Sequence, residues 1–176
     1  MKRPRRILVG AVLAAGALTV AAPAIADPSH MLRADGPTNV HDASLADVNI
    51  DVRVVNTGDG RTIVKLRAHG FPEAMEGKTL GAHVHMRPCG ADPLASGGHY
   101  QNPNAPAGTP LHEREIWLDL DVNDSGRATS HADAPWTIAP GGAGSVVIHA
   151  LPTNGDTGAA GPRLLCTNVP FGVDAP

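Results

Sequence analysis

The chain has 176 residues, with 14 Lys or Arg, 17 Asp or Glu, 20 Gly, 16 Pro and two Cys. Four of the basic residues and none of the acidic ones fall before residue 27, so the later 150 residues set ten basic groups against 17 acidic ones, a net charge of −7. That balance excludes a chain-wide basic nucleic-acid surface, and no amphipathic basic helix points to a membrane surface.

The first 26 residues read as targeting information. Lys2, Arg3, Arg5 and Arg6 make a basic start, Ile7 to Ala22 is an unbroken small and apolar run, and Ala24-Ile25-Ala26 supplies a small-x-small cleavage pattern. The run is short for a bilayer span and no stop-transfer charges follow it. Residues 1–26 are therefore expected to be a signal peptide, cleaved before Asp27. The mature chain would be secreted or reside in the cell envelope, with no membrane attachment. In such an oxidising compartment the only two cysteines, Cys89 and Cys166, are expected to form one disulfide. The closed loop would be worth roughly 4–5 kcal/mol in the chain-entropy model.

Residues 27–45 are polar and mixed and are expected to be a flexible N-terminal arm, leaving 46–176 as the domain. The pattern then becomes β. Val48, Ile50, Val52 and Val54 alternate with polar residues, Asn56-Thr57-Gly58-Asp59-Gly60 is turn chemistry, and Arg61 to Ala68 resumes the alternation. Further strands are predicted at 82–86, 116–122, 127–130, 145–150 and 163–169, with a tight turn at Asn123-Asp124-Ser125-Gly126. Residues 87–111 and 151–162 are rich in Gly, Pro and Ala and should be long ordered loops, which compact domains usually keep for function. Many short strands with turn punctuation imply an all-β sandwich or barrel.

Four histidines carry the candidate chemistry. His83-Val84-His85 puts two imidazoles on one face of a strand, because side chains alternate with period two. His99 follows Gly97-Gly98 in the first long loop, and His149 ends the apolar strand Ser145-Val146-Val147-Ile148. Imidazole nitrogens suit copper and zinc, and a rigid set of four nitrogens favours Cu(II). An HxH pair alone is weak, and a lone His149 would more often be a core or rim residue. His30, His41, His69 and His131 fit no such motif and read as surface or structural residues.

The order of these motifs is more specific than any one of them. HVH on a strand, a Cys just beyond, a Gly-preceded His, VVIH, then an Arg and a second Cys resembles the copper/zinc superoxide dismutase family over about residues 48–171. The resemblance implies a Greek-key β-barrel of about eight antiparallel strands, immunoglobulin-like, with long metal-site loops. It implies His83, His85, His99 and His149 as copper ligands, with His99 at the position that bridges copper to zinc. Cys89 and Cys166 would match the disulfide pinning the metal loop, and Arg163 in Gly161-Pro162-Arg163-Leu164-Leu165-Cys166 would be the active-site arginine. Independently, a net-negative protein needs a local positive focus to attract a small anion, and a fixed guanidinium supplies one.

The chain departs from the family at the zinc site. Between Gln101 and Leu111 there is no His, Asp or Glu; only His112 follows, then Glu113 and Glu115. His112 would offer no more than a weak zinc ligand beside His99 and a carboxylate, a poor closed site. With a short second loop as well, the chain resembles the copper-only members, secreted and bacterial in type, and zinc is not expected. Glu113 or Glu115 would then orient the free nitrogen of His99. The expected activity is dismutation of superoxide to oxygen and hydrogen peroxide, with superoxide as substrate and copper as cofactor, and with neither nucleic acid nor membrane as partner. The alternative from another class is a non-catalytic copper-binding or copper-buffering protein on the same fold.

Overall fold

The computed structural model describes residues 30–171; the expected signal peptide lies outside them. Ten strands follow in chain order: β1 (His30–Gly36), β2 (Asn39–Val40), β3 (Asn49–Asn56), β4 (Thr62–His69), β5 (Thr79–Leu80), β6 (Ala82–His85), β7 (Leu120–Asp121), β8 (Arg127–Ala134), β9 (Ser145–His149) and β10 (Arg163–Asn168). Every pairing is antiparallel. One sheet runs β1-β3-β4-β8, the second β2-β10-β9-β6, and β5 pairs with β7. The only α-helical turn among the described residues is Leu111–Arg114. The nearly all-β architecture expected from the sequence is present.

Alternation explains why the two sheets face each other. In β3 the side chains of Ile50, Val52 and Val54 are buried, and in β4 those of Thr62, Val64, Leu66 and Ala68. From the second sheet Val84, Val146, Ile148 and Leu165 enter the same core. Fully burying each such aliphatic side chain is worth roughly 1.5–3 kcal/mol. The β3–β4 hairpin closes through Thr57 N–H to Arg61 O (2.9 Å), with Gly60 at φ +83°. The Asn123–Gly126 turn depends on its glycine doubly. Gly126 has φ +63°, and a Cβ there would stand 2.4 Å from Phe71 O.

Two expectations are corrected. Residues 30–36 and 39–40, placed in a flexible arm, are strands: β1 pairs with β3 from His30↔Asn56 to Gly36↔Ile50, and β2 pairs with β10 through Val40↔Leu165. The signal was faint because an edge strand needs little inward apolar surface; Leu32 is buried between exposed Met31 and Arg33. The run 116–122 is only partly a regular strand. Leu118 N–H bonds to Ala82 O at 2.7 Å and Val84 N–H to Ile116 O at 3.3 Å, so its first half lies irregularly along the free edge of β6. Only Leu120–Asp121 pairs regularly, with β5. That segment delivers Glu115, Trp117 and Asp119 to the side of the sheet where His83 stands.

Candidate metal centre

β6 divides its side chains between two environments. Ala82 and Val84 belong to the core, whereas His83 and His85 point to the outer face of the second sheet, where both are fully buried. β9 pairs with β6 and places His149 beside them; His99 arrives from the 87–111 loop through a bridge to His85. One ligand-capable atom from each of His83, His85, His99 and His149 lies within 4.8 Å of the others. The four sequence-selected histidines, distant in the chain, come together.

Their hydrogen bonds decide which nitrogens face inward. His85 Nδ1–H donates to Gly97 O at 3.0 Å and His149 Nδ1–H to Gly161 O at 3.1 Å. A carbonyl only accepts, so in each ring Nε2 keeps its lone pair. Both carbonyls belong to glycines of positive φ, +72° at Gly97 and +75° at Gly161. His99 Nδ1–H donates to Glu115 Oε2 at 2.9 Å, which turns Nε2 inward. His83 Nε2 lies 2.8 Å from Thr153 Oγ1. Thr153 spends its hydroxyl proton on Asp119 Oδ1 and its backbone N–H on Asp119 Oδ2 (2.9 Å), so Oγ1 must accept from His83 Nε2–H. His83 Nδ1 is then left buried with no hydrogen-bond partner.

The result is four imidazole lone pairs converging on one point. His85 Nε2 and His149 Nε2 face each other at 3.3 Å with both protons held elsewhere. Neutral rings so arranged repel unless a cation lies between them, and an unpartnered buried nitrogen costs about 1–3 kcal/mol. Burial, reinforced by neighbouring imidazoles, pushes His83 down to about 2. Burial likewise takes His85 to about 3, against the bond to Gly97, and His149 to about 4, against that to Gly161. The neutral, ligating form is therefore held well below neutral pH. An all-nitrogen donor set of this kind fits copper.

Glu115 is the hub beside His99. Besides the imidazole it accepts Trp117 Nε1–H at 2.7 Å and Gln101 Nε2–H at 2.8 Å. Burial alone would raise its pKa, but these three donors bring it below the usual carboxylate value. Of the two carboxylates considered from the sequence, Glu115 makes this contact and Glu113 does not. Glu113 is exposed, 3.7 Å from His112 Nε2. His112 is also exposed and stands outside the four-histidine cluster.

Arg163, at the start of β10, reaches back under the first loop. Its Nη1 donates to Pro93 O (2.7 Å) and Ser96 Oγ (2.9 Å), and its Nη2 to Gly97 O (2.6 Å), the same carbonyl that orients His85. Every acceptor is neutral, and the guanidinium has no ion-pair partner among the described residues, so its charge is left to the surroundings. It lines a depression of about 520 Å³ together with His99, His149, Pro93 and Leu94. Cys89 and Cys166 are joined in a disulfide, tying the same loop to β10.

Asp119, Thr153, Trp117 and Gln101 were not singled out from the sequence. A signal was available: Glu115, Trp117 and Asp119 share one face at period two, next to the HVH strand.

No family model and no curated protein matches the sequence. Solved structures do. The clock protein EA4 aligns over 82% of this chain and 96% of its own, with TM-score 0.55 and 15% identity. A SOD-like protein from Bacillus subtilis aligns over 80% of this chain and 97% of its own, with TM-score 0.53 and 18% identity. A Cu(II) structure of Candida albicans superoxide dismutase 5 aligns more loosely, at TM-score 0.48 and 21% identity over 84% of this chain and 95% of its own. At these identities the likeness to the first two is one of fold: the chain folds as the SOD-like protein does, and it carries a four-histidine cluster on the outer face of one sheet.

Proposed function

We propose that this protein is a copper-dependent superoxide dismutase of the copper-only kind, exported by residues 1–26 and acting outside the cytoplasmic membrane. The observation that carries the reading is the convergence of His83 Nδ1 with the Nε2 atoms of His85, His99 and His149, each ring locked by a hydrogen bond at its other nitrogen. These four residues would hold copper. Zinc has no place in the reading because the second nitrogen of His99, which a bridged zinc would require, is taken by Glu115.

Bound there, copper would supply the one-electron couple by which one superoxide is oxidised to oxygen and a second, reduced and taking up two protons from solvent, leaves as hydrogen peroxide. The chain does the rest. Its net charge of −7 after residue 26 repels an anion at long range, and the unneutralised guanidinium of Arg163 in the 520 Å³ depression supplies the local attraction. The depression ends on His99 and His149, so an anion drawn to Arg163 arrives against the cluster. Glu115, Gly97, Gly161 and the Thr153–Asp119 pair keep the rings from turning.

One observation favours the alternative, a copper-binding protein without catalysis. The three hydrogen bonds of Arg163 to Pro93, Ser96 and Gly97 would serve equally to anchor the loop. Elemental analysis after balanced copper and zinc loading, paired with a superoxide assay, separates the readings. One copper per chain with activity is expected. One copper without activity would establish the buffer, and one tightly held zinc would overturn the copper-only assignment.

A further inference from the structure

The face of the molecule opposite the histidine cluster has a different charge from the rest. The outer surface of the β1-β3-β4-β8 sheet carries Arg33, Arg53, Lys65, Arg67 and Arg127, half of the ten basic residues that follow position 26. Arg33 stands directly opposite Arg53, Arg53 opposite Lys65, and Lys65 opposite His131. Neighbouring strands are about 4.8 Å apart, so this row crosses the sheet over about 14 Å. Like charges placed directly across strands destabilise a sheet. The arrangement is therefore not one that folding alone would choose.

Internal pairing accounts for part of it. Arg33 Nε lies 2.8 Å from Asp51 Oδ2 and its Nη2 lies 3.1 Å from Asp35, while Arg53 Nε is 3.1 Å from Asp51 Oδ1. Two carboxylates thus fix two guanidinium planes. Arg67, Arg127 and Lys65 have no carboxylate at ion-pairing distance among the described residues. Counting Arg61 and Asp133, which pair with each other at the end of the sheet, six cations and three anions leave this face at +3, in a chain whose sum after residue 26 is −7. The face is also hollow: a depression of about 530 Å³ is lined by Arg33, Arg53, Arg67 and Arg127 together with His69 and the two paired carboxylates, Asp35 and Asp51.

We infer that this concave face binds a flexible, single-chain polyanion of the polyphosphate type, with an oxyanion group in each repeat and no bases. Arginine forks match oxyanions bidentately, and five of the six cations are arginines. A hollow lying across the strands suits a chain that can follow it; a bilayer presents a broad flat surface and would touch only the rim. Docked there, the protein would be held on the polymer with its histidine cluster, on the other sheet, facing away. The inference does not depend on the proposed dismutase activity.

Inorganic polyphosphate of medium length is the probe, titrated against the full-length mature chain by calorimetry or fluorescence anisotropy. Binding is expected to be saturable, weakened by salt, and far tighter per phosphate than for inorganic orthophosphate. Arg67→Gln together with Arg127→Gln removes two exposed, unpaired cations without touching the core. It should weaken polyphosphate binding at least several-fold and make the log–log salt dependence shallower by about two. Copper content should stay unchanged. Absence of binding at low salt, an unchanged affinity in the double variant, or a preference for phosphatidylglycerol vesicles or duplex DNA over polyphosphate would each overturn the assignment.

Discussion

His99 Nδ1 donates to Glu115 Oε2 at 2.9 Å, and this one contact fixes which nitrogen of the most exposed of the four clustered histidines turns inward. Orienting partners of this type typically contribute ten- to a hundredfold to metal affinity. Glu115→Ala should therefore raise the copper dissociation constant by about that factor, read by competition with a chelator. Glu113→Ala, which removes an exposed carboxylate that makes no hydrogen bond to His99, should leave it unchanged. Equal effects of the two substitutions would remove Glu115 from the centre.

The Thr153–Asp119 pair predicts a tautomer. In the metal-free protein His83 should carry its proton on Nε2, visible in long-range nitrogen–proton NMR correlations. Thr153→Val removes the acceptor and should populate the Nδ1–H form, with copper binding weakened. Thr153→Ser, which keeps the hydroxyl, should behave as the wild type. A proton on Nδ1 in the unsubstituted protein would contradict the hydrogen-bond assignment.

Acid should destabilise the metal-free fold in a defined window. Burial holds His83, His85 and His149 at about 2, 3 and 4 in the folded chain, whereas an unfolded histidine titrates near 6.5. Below about 6.5 the unfolded state takes up protons that the folded state refuses, so stability falls as pH drops, by up to about 1.4 kcal/mol per pH unit for each ring. The loss ends only near the folded values. Denaturant titrations of the metal-free protein at pH 7, 6 and 5 should show it, and copper loading should steepen the acid dependence of unfolding further. A flat stability from pH 7 to 5 would mean the rings are hydrated rather than buried.

Much of this centre was legible in the sequence, for a physical reason. Period-two alternation made His83 and His85 share a face, and glycine beside His99 and an apolar strand before His149 marked their local structures. The pairing of the only two cysteines needed nothing but their number. What alternation cannot reveal is contact between segments. Asp119 and Thr153 are 34 residues apart and meet only because 116–122 runs along the edge of β6. Glu113 and Glu115 were indistinguishable until that segment's register turned one toward Trp117 and left the other in water. β1 was missed because an edge strand with one buried side chain, Leu32, has almost no pattern to read.

Arg163 separates charge from shape. Arg163→Ala loses three hydrogen bonds to the loop and should cost about 1–3 kcal/mol of stability as well as lowering the rate with superoxide. Arg163→Lys keeps the charge and loses the fork. The lysine variant should retain a rate that falls as salt rises, and the alanine variant should respond less, since screening acts on a charge it no longer has. The same salt response in both would place the steering charge elsewhere.

The most direct test is the rate of superoxide loss with copper-loaded protein in the presence of excess EDTA, which silences free copper ions. A copper-only dismutase should hold one copper per chain under these conditions and remove superoxide catalytically. His83→Ala and His149→Ala should lose metal and activity together. One tightly held copper with no dismutation above the chelated-copper background would contradict the account and leave a copper-binding protein in its place.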